Sequence, residues 1–211
     1  MEKEKKTTVG TFTQDPTKSI VKVQITRRIP DGVYVWVELD RLGHAFWSLF
    51  KDEKIIVYTY GRYDDVDTIP ITGEGILIKY TGNHALSYIK KILYLKNGYS
   101  NVYRINDADL ELAIKYSDNL WLSSNERPDR MSTSNNIKTH GRVINNYNLF
   151  IRNCVTTTID LIEKSGTTIF WDLELDPKTP HGLFIQLDMK SQMSKKVKKY
   201  TNEFKLVFKD N

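Results

Sequence analysis

Residues 43–63 read GHAFWSLFKDEKIIVYTYGRY. Two runs rich in aromatic and β-branched residues, HAFWSLF and KIIVYTYGRY, flank Lys51-Asp52-Glu53, so the stretch predicts a tight antiparallel hairpin. Side chains alternate along a strand, which puts His44, Phe46, Ser48 and Phe50 on one face and Trp47 on the other, toward a core. If Lys51-Asp52-Glu53 forms the turn, the residue facing His44 lies near Tyr60. Tyr58 and Tyr60 are then the positions that could meet the imidazole.

The same period extends outward on both sides. Upstream, SIVKVQITRRI (19–29) alternates apolar and polar residues, and a Pro-Asp-Gly turn leads into VYVWVEL (33–39). Downstream, GILIKY (75–80) reads as a further strand, so the first half predicts an antiparallel sheet. The pattern then changes to helical. TGNHALSYIKKILYLKNG (81–98) has Thr81 or Asn83 as a cap, Gly98 as a stop, and Ala85, Ile89, Ile92 and Leu93 on one face. NDADLELAIKYSDNLWLSS (106–124) places acidic residues in its first turn, as the helix dipole prefers. Residues 125–145 are polar and read as a long loop. DPKTPHGLFIQL (176–187) restarts a helix at Pro180, and EFKLVFK (203–209) reads as an edge strand.

With 211 residues, 40% of them hydrophobic, the chain can bury one sizeable core, so residues 1–211 are expected to form a single domain. Residues 1–18 read as flexible and 190–211 as a basic carboxyl-terminal extension. The net charge is +5, and KSQMSKKVKKY (190–200) carries much of the excess. Such a segment suits an anionic polymer or a solvated helix face. No nucleic-acid motif accompanies it. Four scattered histidines and one cysteine match no familiar zinc spacing, so neither a metal nor an organic cofactor is expected. No run approaches the ~18 apolar residues of a membrane span, and the amino terminus lacks the apolar core of a signal peptide. The expectation is a protein made in the cytoplasm without a signal peptide.

The single cysteine stands in FIRNCVTTTIDLIEKSG (150–166). Val155, Ile159, Leu161 and Ile162 give this stretch an apolar helical face, Asn153 is a natural cap, and Gly166 a stop. Cys154 therefore falls in the first turn, where backbone amides and the positive end of the dipole can stabilise a thiolate or an oxyanion. The plainer reading is a buried small hydrophobe. A histidine at a strand mouth is the partner a thiol nucleophile needs, which draws attention to His44.

GHAFWSLF, TYGRY, NCVTTTIDLIEKSG and TPHGLFIQL resemble, in that order and across roughly residues 33–188, the circularly permuted NlpC-type papain-like proteins. The resemblance implies an α+β fold with an antiparallel sheet packed against a helix led by the nucleophile. It implies Cys154 as nucleophile and His44 as base. The third member is expected on the strand after His44, where Tyr60 stands in place of the usual His, Asp, Glu or Gln; His140, Asp64 and Asp65 are further candidates. Tyr58, Asn153 and Arg152 are the expected substrate contacts. The implied activity is hydrolysis of peptide bonds in peptidoglycan, by an antibacterial effector of the type VI secretion kind. Such a protein would act in the periplasm of a target cell and have an immunity protein and a secretion-system component as partners. Lipid acyltransferases and thioesterases of the same family are the alternative, and a non-catalytic adaptor using the basic tail is a third reading.

Overall fold

The chain enters its sheet through β1 (Gly32–Glu38), β2 (His44–Lys51), β3 (Lys54–Gly61) and β4 (Thr72–Thr81). Helix α1 (Gly82–Lys90) follows, prolonged by a π-helical turn over Lys91–Leu95, and then come β5 (Ser100–Ile105), α2 (Leu110–Leu122) and α3 (Asn135–His140). The remaining elements are β6 (Gly141–Asn148), α4 (Cys154–Lys164), α5 (Pro180–Met193), β7 (Val197–Lys199) and α6 (Thr201–Val207). This computed structural model describes residues 28–63, 71–95, 99–128, 134–170 and 177–209. The strand expected over 19–29 and the stop at Gly98 lie outside the described residues, apart from Arg28 and Ile29.

The fold is α+β. Its seven described strands form one sheet in the order β6-β4-β3-β2-β1-β5-β7, every neighbouring pair antiparallel. The β2–β3 hairpin closes on a two-residue turn. Lys51 pairs with Lys54, and Asp52 and Glu53 both take left-handed φ values, 50° and 62°, as a hairpin turn with two positive φ angles requires.

Helices cover both faces. On one, Tyr34, Trp36, Phe46, Phe50 and Val57 pack against α1 and the Phe204 ring of α6. On the other, Val35, Val37 and Ala45 meet α4 and α5, while Trp47, Tyr58 and Leu77 meet α2 and Leu161 of α4. Central strands buried on both sides explain the almost continuous apolar run Val33-Tyr34-Val35-Trp36-Val37, each 0% exposed.

Three expectations are corrected. The polar stretch 125–145 is not an open loop: it contains α3 and most of β6, which pairs with β4 along its length. EFKLVFK is not an edge strand but helix α6 with Phe208 as its C-cap residue, and Phe204 and Phe208, four residues apart, lie on the same side with tilted rings 5.7 Å apart. Residues 190–209 are not an extension: Val197 pairs with Ile105, and Phe204 is fully buried. Among the described residues no helix is long and apolar enough to cross a membrane.

Candidate active site

Helix α4 begins where its capping chemistry dictates. Asn153 Oδ1 accepts from the amides of Val155 (2.8 Å) and Thr156 (3.0 Å), and Thr156 Oγ1 accepts from the Asn153 amide (2.9 Å), a reciprocal capping box. The Asn153 amide nitrogen donates to the carbonyls of Leu149 (2.6 Å) and Lys178 (3.0 Å). Asn153 is thus spent on holding the helix start, not on a substrate. Its bond to Lys178 ties α4 to the entrance of α5, whose Pro180 lies against Gly43. Gly43 has φ +73°, and a Cβ there would sit 2.7 Å from the Glu38 carbonyl and 2.8 Å from the Pro180 ring. The stretches around Gly43, Cys154 and Pro180 therefore meet in space.

The sulfur of Cys154 is placed by a gap in the sheet. His44 pairs with Glu38 on β1 and Gly61 pairs with Ile76 on β4, but β2 and β3 pair with each other only as far as Trp47 and Tyr58. The two strand ends part beyond that point. The first turn of α4 packs on this strand end, with Cys154 buried in one cluster with Ala45, and the nearby backbone amides of Ala45, Val155 and Cys154 favour the thiolate. Burial nevertheless pushes the thiol up to about 11, and the charge of Glu38 adds to that direction against the amides. The helix start does not yield a resting thiolate; desolvation outweighs it. Because the thiolate forms only as pH rises toward that value, iodoacetamide alkylation should climb through pH 9 to 11. At pH 7 it should run roughly a hundredfold below an exposed cysteine. A plateau reached by pH 8 would contradict this environment.

His44 approaches the same strand mouth from the other face. Its Nε2 lies 2.6 Å from Thr59 Oγ1, which is also 2.6 Å from the Tyr63 hydroxyl and within hydrogen-bonding influence of Tyr88. Thr59 is thus the hub that orients the imidazole. Tyr60 does not take this place. A three-residue turn would have set Tyr60 opposite His44, but the two-residue turn shifts the register by one and sends Tyr58 and Tyr60 to the face of Trp47. The Tyr58 hydroxyl is bonded to Asp118, beside Lys79, and the residue is fully buried, which removes it as a substrate contact.

Tyr60 does stand near the sulfur. Burial raises its hydroxyl, with Arg152 lowering it and Cys154 adding a smaller rise. The Asn145 amide satisfies both neighbours when its nitrogen donates to the Tyr60 hydroxyl (2.6 Å) and its oxygen accepts from Arg152 Nε (2.9 Å). Gly75, at a β-bulge, leaves the room this requires: a Cβ there would collide with the Tyr60 hydroxyl and Asn145. Arg152 itself is exposed, and its charge acts on the Tyr60 hydroxyl.

On the His44 side lies a cavity of about 440 Å³. Glu38, His44, Tyr63, Tyr80, His84 and Tyr88 contribute to its walls. Glu38 and Thr59 are the residues that sequence reading missed. The readable signal for Glu38 was the short connection to His44, which sets the two opposite each other across β1 and β2.

His140 is not beside His44: it ends α3, where its ring packs at a tilt against His84 at 4.5 Å and Tyr80 at 5.3 Å. Asp64 and Asp65 lie outside the described residues. Among the described residues no group of three or more His, Cys, Asp or Glu could hold a metal ion. Comparison with family models, curated proteins and solved structures finds no match to this chain.

Proposed function

We propose that the protein is a cysteine-dependent amide hydrolase of permuted papain-like type, acting on peptide bonds of peptidoglycan. The observation that carries the reading is the buried Cys154 thiol in the first turn of α4, packed in one cluster with Ala45, the residue that follows His44. In this reading the resting thiol is neutral and His44 acts as general base. With Nε2 held by Thr59, Nδ1 takes the thiol proton as sulfur attacks the carbonyl carbon. The amides of Cys154 and Ala45 are positioned to receive the negative oxygen of the tetrahedral intermediate. His44 then protonates the leaving amine, and water, activated by the same imidazole, releases the acid and restores the thiol.

Arg152, exposed beside the nucleophile, suits a substrate that carries carboxylates close to the scissile amide, as peptidoglycan stem peptides do. A protein acting there would work in the periplasm of a target cell, reached by secretion, with an immunity protein guarding the producer. The test is to incubate purified peptidoglycan with the protein and analyse soluble products by mass spectrometry. Fragments bearing one new amino and one new carboxyl end within a stem peptide are expected; undigested peptidoglycan would remove this substrate.

One observation favours a second reading, transfer or hydrolysis of lipid acyl groups. Phe150 and Ile151, directly before Asn153, are 64% and 76% exposed and could meet an acyl chain. Release of fatty acid from phospholipid vesicles, with peptidoglycan left intact, would decide for it.

A further inference from the structure

Glu38 and His44 are direct partners across the β1–β2 ladder, so their side chains leave the sheet on the same face, with Cβ atoms about 5 Å apart by strand geometry. Both border the same cavity, and Glu38 is 3% exposed. A carboxylate so shielded acts over a longer range than one in water. Its charge is felt at both ends of the site, raising the thiol of Cys154 and the hydroxyl of Tyr88. We infer that Glu38 is the positioning residue that supplies the negative charge opposite the His44 imidazolium, a role the neutral Thr59 hydroxyl cannot fill.

The inference rests on the proposed Cys154–His44 chemistry and divides the third member's work between two residues. Thr59 Oγ1 fixes the ring through Nε2, while Glu38, from the preceding strand, stabilises the positive ring once the thiol proton has moved onto it. The proton passes from Sγ to the imidazole and on to the leaving amine, and the Glu38 carboxylate takes none of it. The other groups facing His44 do not compete for this role. Tyr63, Tyr80 and Tyr88 are phenols held neutral by burial, and the remaining ionisable neighbours of the cavity, His84 and Lys91, can carry only positive charge.

The test is a proton NMR titration of the His44 ring in the Cys154→Ala protein, which needs no turnover, alongside Glu38→Gln and Glu38→Asp in the same background. His44 should titrate roughly one pH unit or more lower in Glu38→Gln than with Glu38 intact, and Glu38→Asp should recover most of the difference. In the otherwise wild-type enzyme, Glu38→Gln should reduce kcat/KM on the order of a hundredfold, and the acid limb of its pH profile should move to lower pH. An unchanged His44 midpoint in a folded Glu38→Gln protein overturns the inference. If that variant does not fold, the Glu38-containing protein still decides. There, His44 should titrate above the ordinary imidazole value, and a midpoint at or below that value overturns it. Absence of hydrolysis with a clear Glu38–His44 linkage would remove the hydrolase reading and leave the pair standing.

Discussion

Cys154→Ala should reduce muropeptide release by at least about a thousandfold, to the level of buffer alone, with His44→Ala close behind. On the proposed mechanism the two groups act as a unit: without the sulfur there is nothing for the imidazole to activate, and without the imidazole a thiol held near 11 is almost fully protonated at neutral pH. The double variant should therefore be no worse than either single one. Cys154→Ala should fold normally, because it removes one atom from a site whose capping box and Thr158–carbonyl bond (2.7 Å) are untouched. The measurement is product formation at matched protein concentration, with a melting curve for each variant. Retention of a tenth of the activity by either single variant, or multiplication of the two losses, would show that the pair does not work together.

Phe204→Ala should cost about 3–5 kcal/mol, the range for emptying a buried aromatic site. Phe204 is fully buried and packs edge-on against Trp36 at 4.8 Å, Tyr34 at 5.2 Å and Phe50 at 5.3 Å. It is the peg by which α6 closes the face of the sheet opposite α4. For a domain of this size that loss lowers Tm by roughly 6–20 °C, and the denaturant midpoint should fall in proportion. A variant melting within about 2 °C of the wild type would mean that α6 contributes little to the core.

The central hairpin and helices α1 and α4 were legible because each carries its own local signal. The alternation of 44–50, the apolar stripe Ala85-Ile89-Ile92-Leu93 and the Asn153 cap need no distant partner to be read, and Ala85, Ile89, Ile92 and Leu93 are all buried. What failed was decided by tertiary context. In EFKLVFK the apolar residues fit a period of two and an i, i+4 pair equally well, and only the hollow among Tyr34, Trp36 and Phe50 selects the helix. The asparagine-rich 141–148 segment is strand because an outer strand pairs on one side and tolerates polar residues, a choice its composition hides. In the site, Cys154 and His44 stood out by residue type and position. Helix α4 packs on the Ala45 side of the sheet, the face opposite the His44 side chain, which neither residue's local sequence announces. Tyr60 was misplaced for one reason, a turn shorter by one residue, which inverts every side chain on the strand that follows. Thr59 and Glu38 carry no signature of their own and become visible only through register.

The short β7 strand has a consequence for how copies of this chain behave at high concentration. It forms one border of the sheet with three residues, and both Lys198 and Lys199 on it are exposed. A second molecule adding its own strand there would have to strip water from two ammonium groups in exchange for very few ladder bonds. The lysine-rich stretch thus works as a guard against self-association, discouraging fibrous growth along a border that an apolar sequence of the same length would leave sticky.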